Sequence, residues 1–155
     1  YLELTQIRFP GCLSYEIDVE EDCMEASVFP LLLLMQTENT IKYNMVMGEE
    51  LAVKITGTRD DTKEPPRLLL KHLDSGDGFT PEDLPWMNHY DLNEHKPVDG
   101  HGVGFYNVLK RMSLLYGETA RIRFSNEPDW GARIDIDIPY VPYEKTEDSD
   151  EHSGR

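Results

Sequence analysis

Ile134, Ile136 and Ile138 alternate with Asp135 and Asp137, and this run constrains the fold more than any other stretch of the chain. A strand turns successive side chains to opposite faces, so the run must pack one face and leave the other to water. Leu51, Val53 and Ile55 repeat the pattern between polar neighbours, and Leu13, Tyr15, Ile17 and Val19 repeat it nearer the start. A sheet with a single apolar face needs a cover, and two amphipathic segments can provide one. In residues 30–45, Leu31, Leu34, Met35, Ile41 and Met45 share one side at about 100° per residue. In residues 103–116, Val108, Met112 and Leu115 form the inner face, and Gly117 is the stop. The expected fold class is α+β, a mixed, mostly antiparallel sheet with helices on one face.

The remaining segments fall into place around that layer. Residues 1–9 read as the end of a helix stopped by Pro10 and Gly11, a connector arriving from an upstream region. Residues 23–28 read as a second short strand, after an acidic turn at 20–22. Residues 51–58 and 68–73 form an antiparallel pair, and 120–125 with 132–138 a closing hairpin. Between them, residues 79–100 hold Pro81, Pro85 and Pro97, and make a loop too long for a compact domain unless it serves as a lid. Beyond Tyr143 the acidic sequence has no apolar anchor and reads as a disordered tail. The expected division is a connector at 1–10, one domain at 11–142 and the tail at 143–155.

Charge and cysteine content narrow the function. The formal net charge of −15 disfavours nucleic acid and anionic membrane surfaces as partners. Cys12 and Cys23 lack the spacing of a metal site, and no apolar run approaches the roughly 20 residues of a membrane span. None of the five histidines has an acid and a nucleophile around it. Neither a P-loop nor a dinucleotide fingerprint is present.

Three clusters carry chemistry. In residues 30–45, Glu38 and Lys42 fall inside the apolar stripe, with Asn39 at its edge. A buried carboxylate costs several kcal/mol unless it is paired or used. An i,i+4 pair with Lys42 or a catalytic role both answer that cost. The second cluster is Asp74-Ser75-Gly76-Asp77-Gly78 at a strand end, where an Asp can accept from a ligand amine and the glycines allow close backbone approach. The third is Gly100-His101-Gly102-Val103-Gly104 opening a helix, whose bare N–H groups attract phosphate. Together with a hard oxygen ligand at Asn39, they sketch an ATP and Mg2+ site under a glycine-hinged lid.

The order Glu38-Asn39-Thr40-Ile41-Lys42, then Asp74-Ser75-Gly76-Asp77-Gly78, then Gly100 to Asn107, then Gly131-Ala132-Arg133-Ile134 resembles the N, G1, G2 and G3 boxes of the GHKL ATPases. The spacing is most similar to sensor histidine kinases of the YesM/LytS type, as are Tyr15-Glu16-Ile17-Asp18, Pro30-Leu31-Leu32 and Asn107-Val108 with Arg111. The resemblance implies a two-layer α/β sandwich, the Bergerat fold, that transfers the γ-phosphoryl of Mg-ATP to a histidine outside this sequence. It assigns Asn39 to Mg2+, Glu38 to polarising the attacking group, Lys42 to phosphate and Asp74 to the adenine amine. Gly76 and Gly78, with Gly102 and Gly104, would flank the lid and let it close, and Gly100 and Asn107 would join them in binding the nucleotide. It further implies upstream dimerisation and phosphoacceptor helices, a response regulator, and a homodimeric, membrane-anchored parent of which this is the cytoplasmic domain.

Three departures stand out. Tyr43-Asn44 replaces the frequent His-Gly, Ser75 replaces the usual Asn, and Ala132 stands where the family commonly has Thr, removing a hydroxyl on the adenine side. The alternatives are a Bergerat-fold module that has lost nucleotide affinity, and another GHKL ATPase or anti-sigma-type serine kinase.

Overall fold

Strand pairing follows the alternation. In the computed structural model, which describes residues 1–90 and 103–143, five strands form one sheet: β1 (Leu13–Val19), β2 (Leu51–Asp60), β3 (Arg67–Asp74), β4 (Arg121–Asn126) and β5 (Ala132–Pro139). Their order is β1-β2-β3-β5-β4, with β1 parallel to β2 and all other pairs antiparallel. The helices are α1 (Leu2–Arg8), α2 (Leu32–Asn44), α3 (Asp83–Asn88) and α4 (Val103–Tyr116). This is the expected mixed α+β architecture.

Register puts the apolar residues on one face. Leu68 lies opposite Ile138, and Leu70 opposite Ile136 and Gly57. With Phe29, Leu32, Val108, Met112 and Phe124 they form the larger core under α2 and α4. A second cluster joins Leu2, Leu13, Leu51, Val53 and Ile55 to Leu33, Ile41 and Met45 of α2 and its end. The other face is polar and carries ion pairs, Lys54 to Glu16 at 3.0 Å and Arg67 to Asp137 at 2.6 Å among them. Such solvated pairs contribute about 0–1 kcal/mol each.

Several expectations are corrected. Residues 23–28 are not a strand: Glu21–Cys23 is a 3₁₀ turn, and Ala26 makes a single bridge to Pro142. Local bonds from the Cys23 and Met24 N–H groups to the Glu20 and Glu21 carbonyls satisfy that backbone without a neighbour strand. Burial beside Asp22 pushes the Cys23 thiol up to about 11, which keeps it protonated and unreactive. In β1, Ile17 shares the inner face with Ile55 yet is 58% exposed, because β1 is the sheet edge and α1 covers only its beginning, where Leu2 packs with Leu13. Leu115 is 60% exposed, so Val108 and Met112 alone represent the expected inner face of α4. The lid region is not structureless throughout, since α3 forms within it. Thr80 and Asp83 exchange two hydrogen bonds at its start, and Pro85 sits in the first turn, where its missing N–H costs nothing. The acidic tail from residue 144 and the lid residues 91–102 lie outside the described residues. Among the described residues no helix is long and apolar enough to cross a membrane.

Candidate functional site

The site is built where α2 crosses the end of β3. α2 begins one residue later than its stripe suggested: Leu31 adopts a left-handed φ of 72° and is itself exposed. The buried residues of α2 are Leu32, Gln36, Thr37 and Thr40, while Glu38 and Lys42 are exposed. The expectation of Glu38 within a buried seam is therefore corrected, and the two side chains form no ion pair with each other. The physical reason is that α2 faces both apolar and polar groups at its C-terminal half. There Ile41 and Met45 pack on the aliphatic residues of β2 while Thr40 meets Asp74, so the inner surface is mixed and turns Gln36 and Thr40 inward beside the apolar positions, leaving Glu38 and Lys42 outside it.

Asp74 is 2% exposed and held on both sides. Its Oδ2 accepts from the Thr40 hydroxyl at 2.7 Å, and its Oδ1 from the Gly76 N–H at 3.0 Å. Ser75 anchors the same turn to β2: its Oγ accepts the Ala52 N–H at 2.9 Å, and its own N–H donates to the Ala52 carbonyl at 3.0 Å. The Gly76 Cα faces the Asn44 side chain so closely that a Cβ there would overlap it. Gly78 has φ 77°, and a Cβ would stand 2.7 Å from Asn126 Oδ1, so both conformation and space require glycine.

Two asparagines fasten the following segment to β4. Asn126 Oδ1 accepts the Phe79 N–H at 2.8 Å while its amide donates to the Phe79 carbonyl at 2.9 Å. Asn88 makes the same two-bond clasp on Phe124, at 2.9 Å and 2.8 Å, and so docks α3 on the outer edge of β4. Sequence reasoning missed both residues; a lone Asn in a polar stretch carries no periodic or motif signal.

These elements enclose a cleft of about 480 Å³, within the usual range for a small-molecule site. Asp74, Thr40 and Ala132 line it together with Asn39, Lys42 and Gly104. Its aromatic side is Phe79, Trp86, Phe105 and Phe124, with Phe79 and Phe105 packed on Phe124 at centroid distances of 5.6 Å and 5.3 Å. Lys42 Nζ stands 3.3 Å from the Tyr43 hydroxyl and over its ring. Thus Asn39, Lys42, Asp74, Gly78 and Gly104 are brought to one cleft. Glu38 and Asn107 are exposed and do not line it, Gly76 supports Asp74 from outside it, and Gly100 and Gly102 lie outside the described residues.

Behind Asp74, on the same face of β3, His72 is completely buried between Ile55 and Ile134. Among the described residues neither ring nitrogen has a hydrogen-bond partner. Burial holds its pKa below the ordinary histidine value, against a smaller opposing pull from the Asp74 charge.

A sheet of this order with a buried, clasped aspartate at a strand end defines a class. The model of the histidine kinase-, DNA gyrase B- and HSP90-like ATPases matches residues 32–142, and the chain belongs to that family. Among characterised relatives, the sensor protein LytS of Oceanobacillus iheyensis is 30% identical over 140 residues, which are 90% of this chain and 23% of the relative. The LytS sensor protein of Bacillus subtilis is 26% identical over 99% of this chain and 24% of its own length. The chain thus spans about a quarter of these relatives. The catalytic domain of histidine kinase ThkA superposes with a TM-score of 0.65 at 14% identity, covering 91% of this chain and 88% of that one. The mycobacterial sensor histidine kinase MprB gives 0.59 at 18%, with 91% and 90% covered. At those identities the superpositions establish the fold, which is that of histidine kinase catalytic domains. The chain is an ATPase domain of the kind found in sensor histidine kinases.

Proposed function

We propose that the cleft binds Mg-ATP and that this domain presents the γ-phosphoryl group to a histidine carried elsewhere in a two-component sensor kinase. The observation that carries the reading is Asp74: a fully buried carboxylate whose two oxygens are each fixed by one hydrogen bond, with its remaining acceptor capacity available to a ligand amine in the cleft it lines. Adenine offers such an amine, and Phe79, Phe105 and Phe124 supply apolar surface for a purine ring.

Asn39, Lys42, Gly104 and Glu38 each have a role that their position supports. Asn39 lines the cleft two turns along α2 from its start and offers an amide oxygen. That fits Mg2+, which takes one or two protein oxygens and completes its shell with water and phosphate. Bound there, Mg2+ supplies charge neutralisation to the phosphates. Lys42, one turn further on, gives a mobile cation at the cleft mouth. Gly104 near Met35 lets α4 approach α2 closely, and the lid glycines Gly100 and Gly102 are assigned from the sequence alone. Glu38 is exposed beside the cleft instead of inside it, a position suited to meeting an acceptor histidine brought by another segment and to accepting its ring proton. Residues 1–10 would connect this domain to upstream dimerisation and phosphoacceptor helices in a homodimeric, membrane-anchored parent, and a response regulator would take the phosphoryl group on.

Calorimetric titration with Mg-ATP tests the site. Asn39→Ala and Asp74→Asn should each weaken binding roughly tenfold or more, the scale of losing a charge-assisted bond or metal ligand. Undiminished binding in both variants would remove the assignment. Glu38→Gln should leave thermal stability and the Mg-ATP Kd within about twofold, as an exposed side chain should. In the full-length kinase it should lower phosphoryl transfer by about 10²–10⁴-fold, the usual contribution of a general base. Loss of folding in this variant would return Glu38 to a structural role.

A further inference from the structure

We infer that Thr40 is the positioning residue for Asp74, and that its hydroxyl does from the helix what a threonine at position 132 would do from the sheet. The inference rests on the nucleotide reading above and deepens it. Three observations carry it.

The first is where the Thr40 hydroxyl points. A threonine inside a helix ordinarily turns its hydroxyl back to the carbonyl four residues earlier. Thr5 does so to Tyr1 at 2.9 Å, and Thr37 to Leu33 at 2.9 Å. Thr40 instead crosses from α2 to β3 and donates to Asp74 Oδ2 at 2.7 Å, in a fully buried contact.

The second is the place of Ala132. Leu73 pairs with Arg133 and His72 with Ile134, so the next antiparallel step sets Asp74 opposite Ala132. Both residues are buried, both face the helix layer and both line the cleft. Side chains directly opposite in such a pair have Cβ atoms about 4.5–5.5 Å apart, within reach of a hydroxyl-to-carboxylate bond. Alanine offers none there.

The third is accounting. The Asp74 carboxylate has only the Gly76 N–H and the Thr40 hydroxyl as hydrogen-bond donors among the described residues. Gly76 is in the turn that follows Asp74 and fixes only Oδ1. Without Thr40, Oδ2 would have no donor among the described residues, and the plane of the carboxylate would be free to rotate away from a ligand amine. Loss of the family's sheet hydroxyl is therefore offset by one from the opposite wall of the same cleft.

The test compares Mg-ATP with purine riboside triphosphate, which lacks the 6-amino group, by calorimetry on the parent chain, Thr40→Val, Thr40→Ser and Thr40→Val/Ala132→Thr. Thr40→Val should reduce the preference for ATP over the analogue roughly tenfold, the size of one hydrogen bond to a charged group. Thr40→Ser should keep the preference, and Ala132→Thr should restore most of it in the Val background. A role limited to folding would lower both affinities together and leave their ratio unchanged, and that result overturns the inference. So does a ratio unaffected by Thr40→Val, or one that Ser fails to keep; if Ala132→Thr does not fold, the Ser variant decides. A parent chain that binds neither triphosphate sinks the nucleotide reading and this inference with it. A parent that binds both equally removes the amine contact while leaving a nucleotide cleft in place.

Discussion

Gly131→Ala should destabilise the domain by about 3 kcal/mol or more and abolish measurable nucleotide binding under conditions where the parent binds. A Cβ at this position would overlap the Gly76 carbonyl oxygen and stand 2.9 Å from the Gly76 carbonyl carbon and 3.1 Å from the Asp74 carbonyl oxygen. All three are backbone atoms, so no rotamer change relieves the contact. Either the turn from Glu127 to Gly131, closed by the Glu127 N–H to Gly131 carbonyl bond at 3.0 Å, moves away, or the Asp74–Gly78 turn does. The second movement breaks the Gly76 N–H bond to Asp74 and tilts the carboxylate. Urea unfolding measures the first effect as a lower midpoint at unchanged slope, and calorimetry with Mg-ATP measures the second. A variant with parental midpoint and parental affinity would show that the two turns separate at little cost, contrary to the packing.

Replacing His72 should have the opposite sign. His72→Leu should stabilise the domain by about 1–3 kcal/mol at pH 5.5, because it removes a buried ring whose nitrogens lack protein partners among the described residues. The gain should shrink as pH rises. Burial depresses the folded-state pKa of His72 below its ordinary value of 6.5. Above that value both folded and unfolded chains hold the ring neutral, and stability is at its full level. Below it the unfolded chain binds a proton that the fold refuses, so stability falls with pH, by up to about 1.4 kcal/mol per unit, until the folded pKa is reached. The measurement is the difference in unfolding free energy between parent and variant from pH 8 to 5. A difference that stays flat across that range would mean the ring titrates alike in both states.

How much of this was legible in advance depends on how local each cause is. The strands at Leu13–Val19, Leu51–Asp60 and Ala132–Pro139 announced themselves through two-residue periodicity, which the pleat alone imposes, and Arg67–Asp74 through an apolar run after a polar loop. The boxes around Glu38, Asp74 and Gly131 were readable only through the resemblance of their order to that of a known family. The face of α2 was not. Leu31, Leu34 and Met35 suggested a stripe that included Glu38, yet the buried side runs through Leu32, Gln36, Thr37 and Thr40. Met35, Ile41 and Met45 do pack on apolar neighbours, but where the neighbour is Asp74 the inner position goes to a polar residue, Thr40, which hydrophobicity does not mark. The exposed Ile17 failed for a related reason: alternation selects a face without saying whether any helix reaches that far along the sheet. The clasps of Asn88 and Asn126 left no mark at all, since each joins residues more than thirty positions apart in the chain through side-chain geometry.

By itself, then, the sequence determined the layer, its one greasy face and the identity of the groups available for chemistry, because these follow from local backbone geometry and side-chain type. Tertiary structure decided which of those groups meet. It turned Glu38 outward, set Asp74 beneath Thr40 and opposite Ala132, and drew α3 onto β4. Those outcomes depend on strand register and helix placement, which arise from packing the whole core at once.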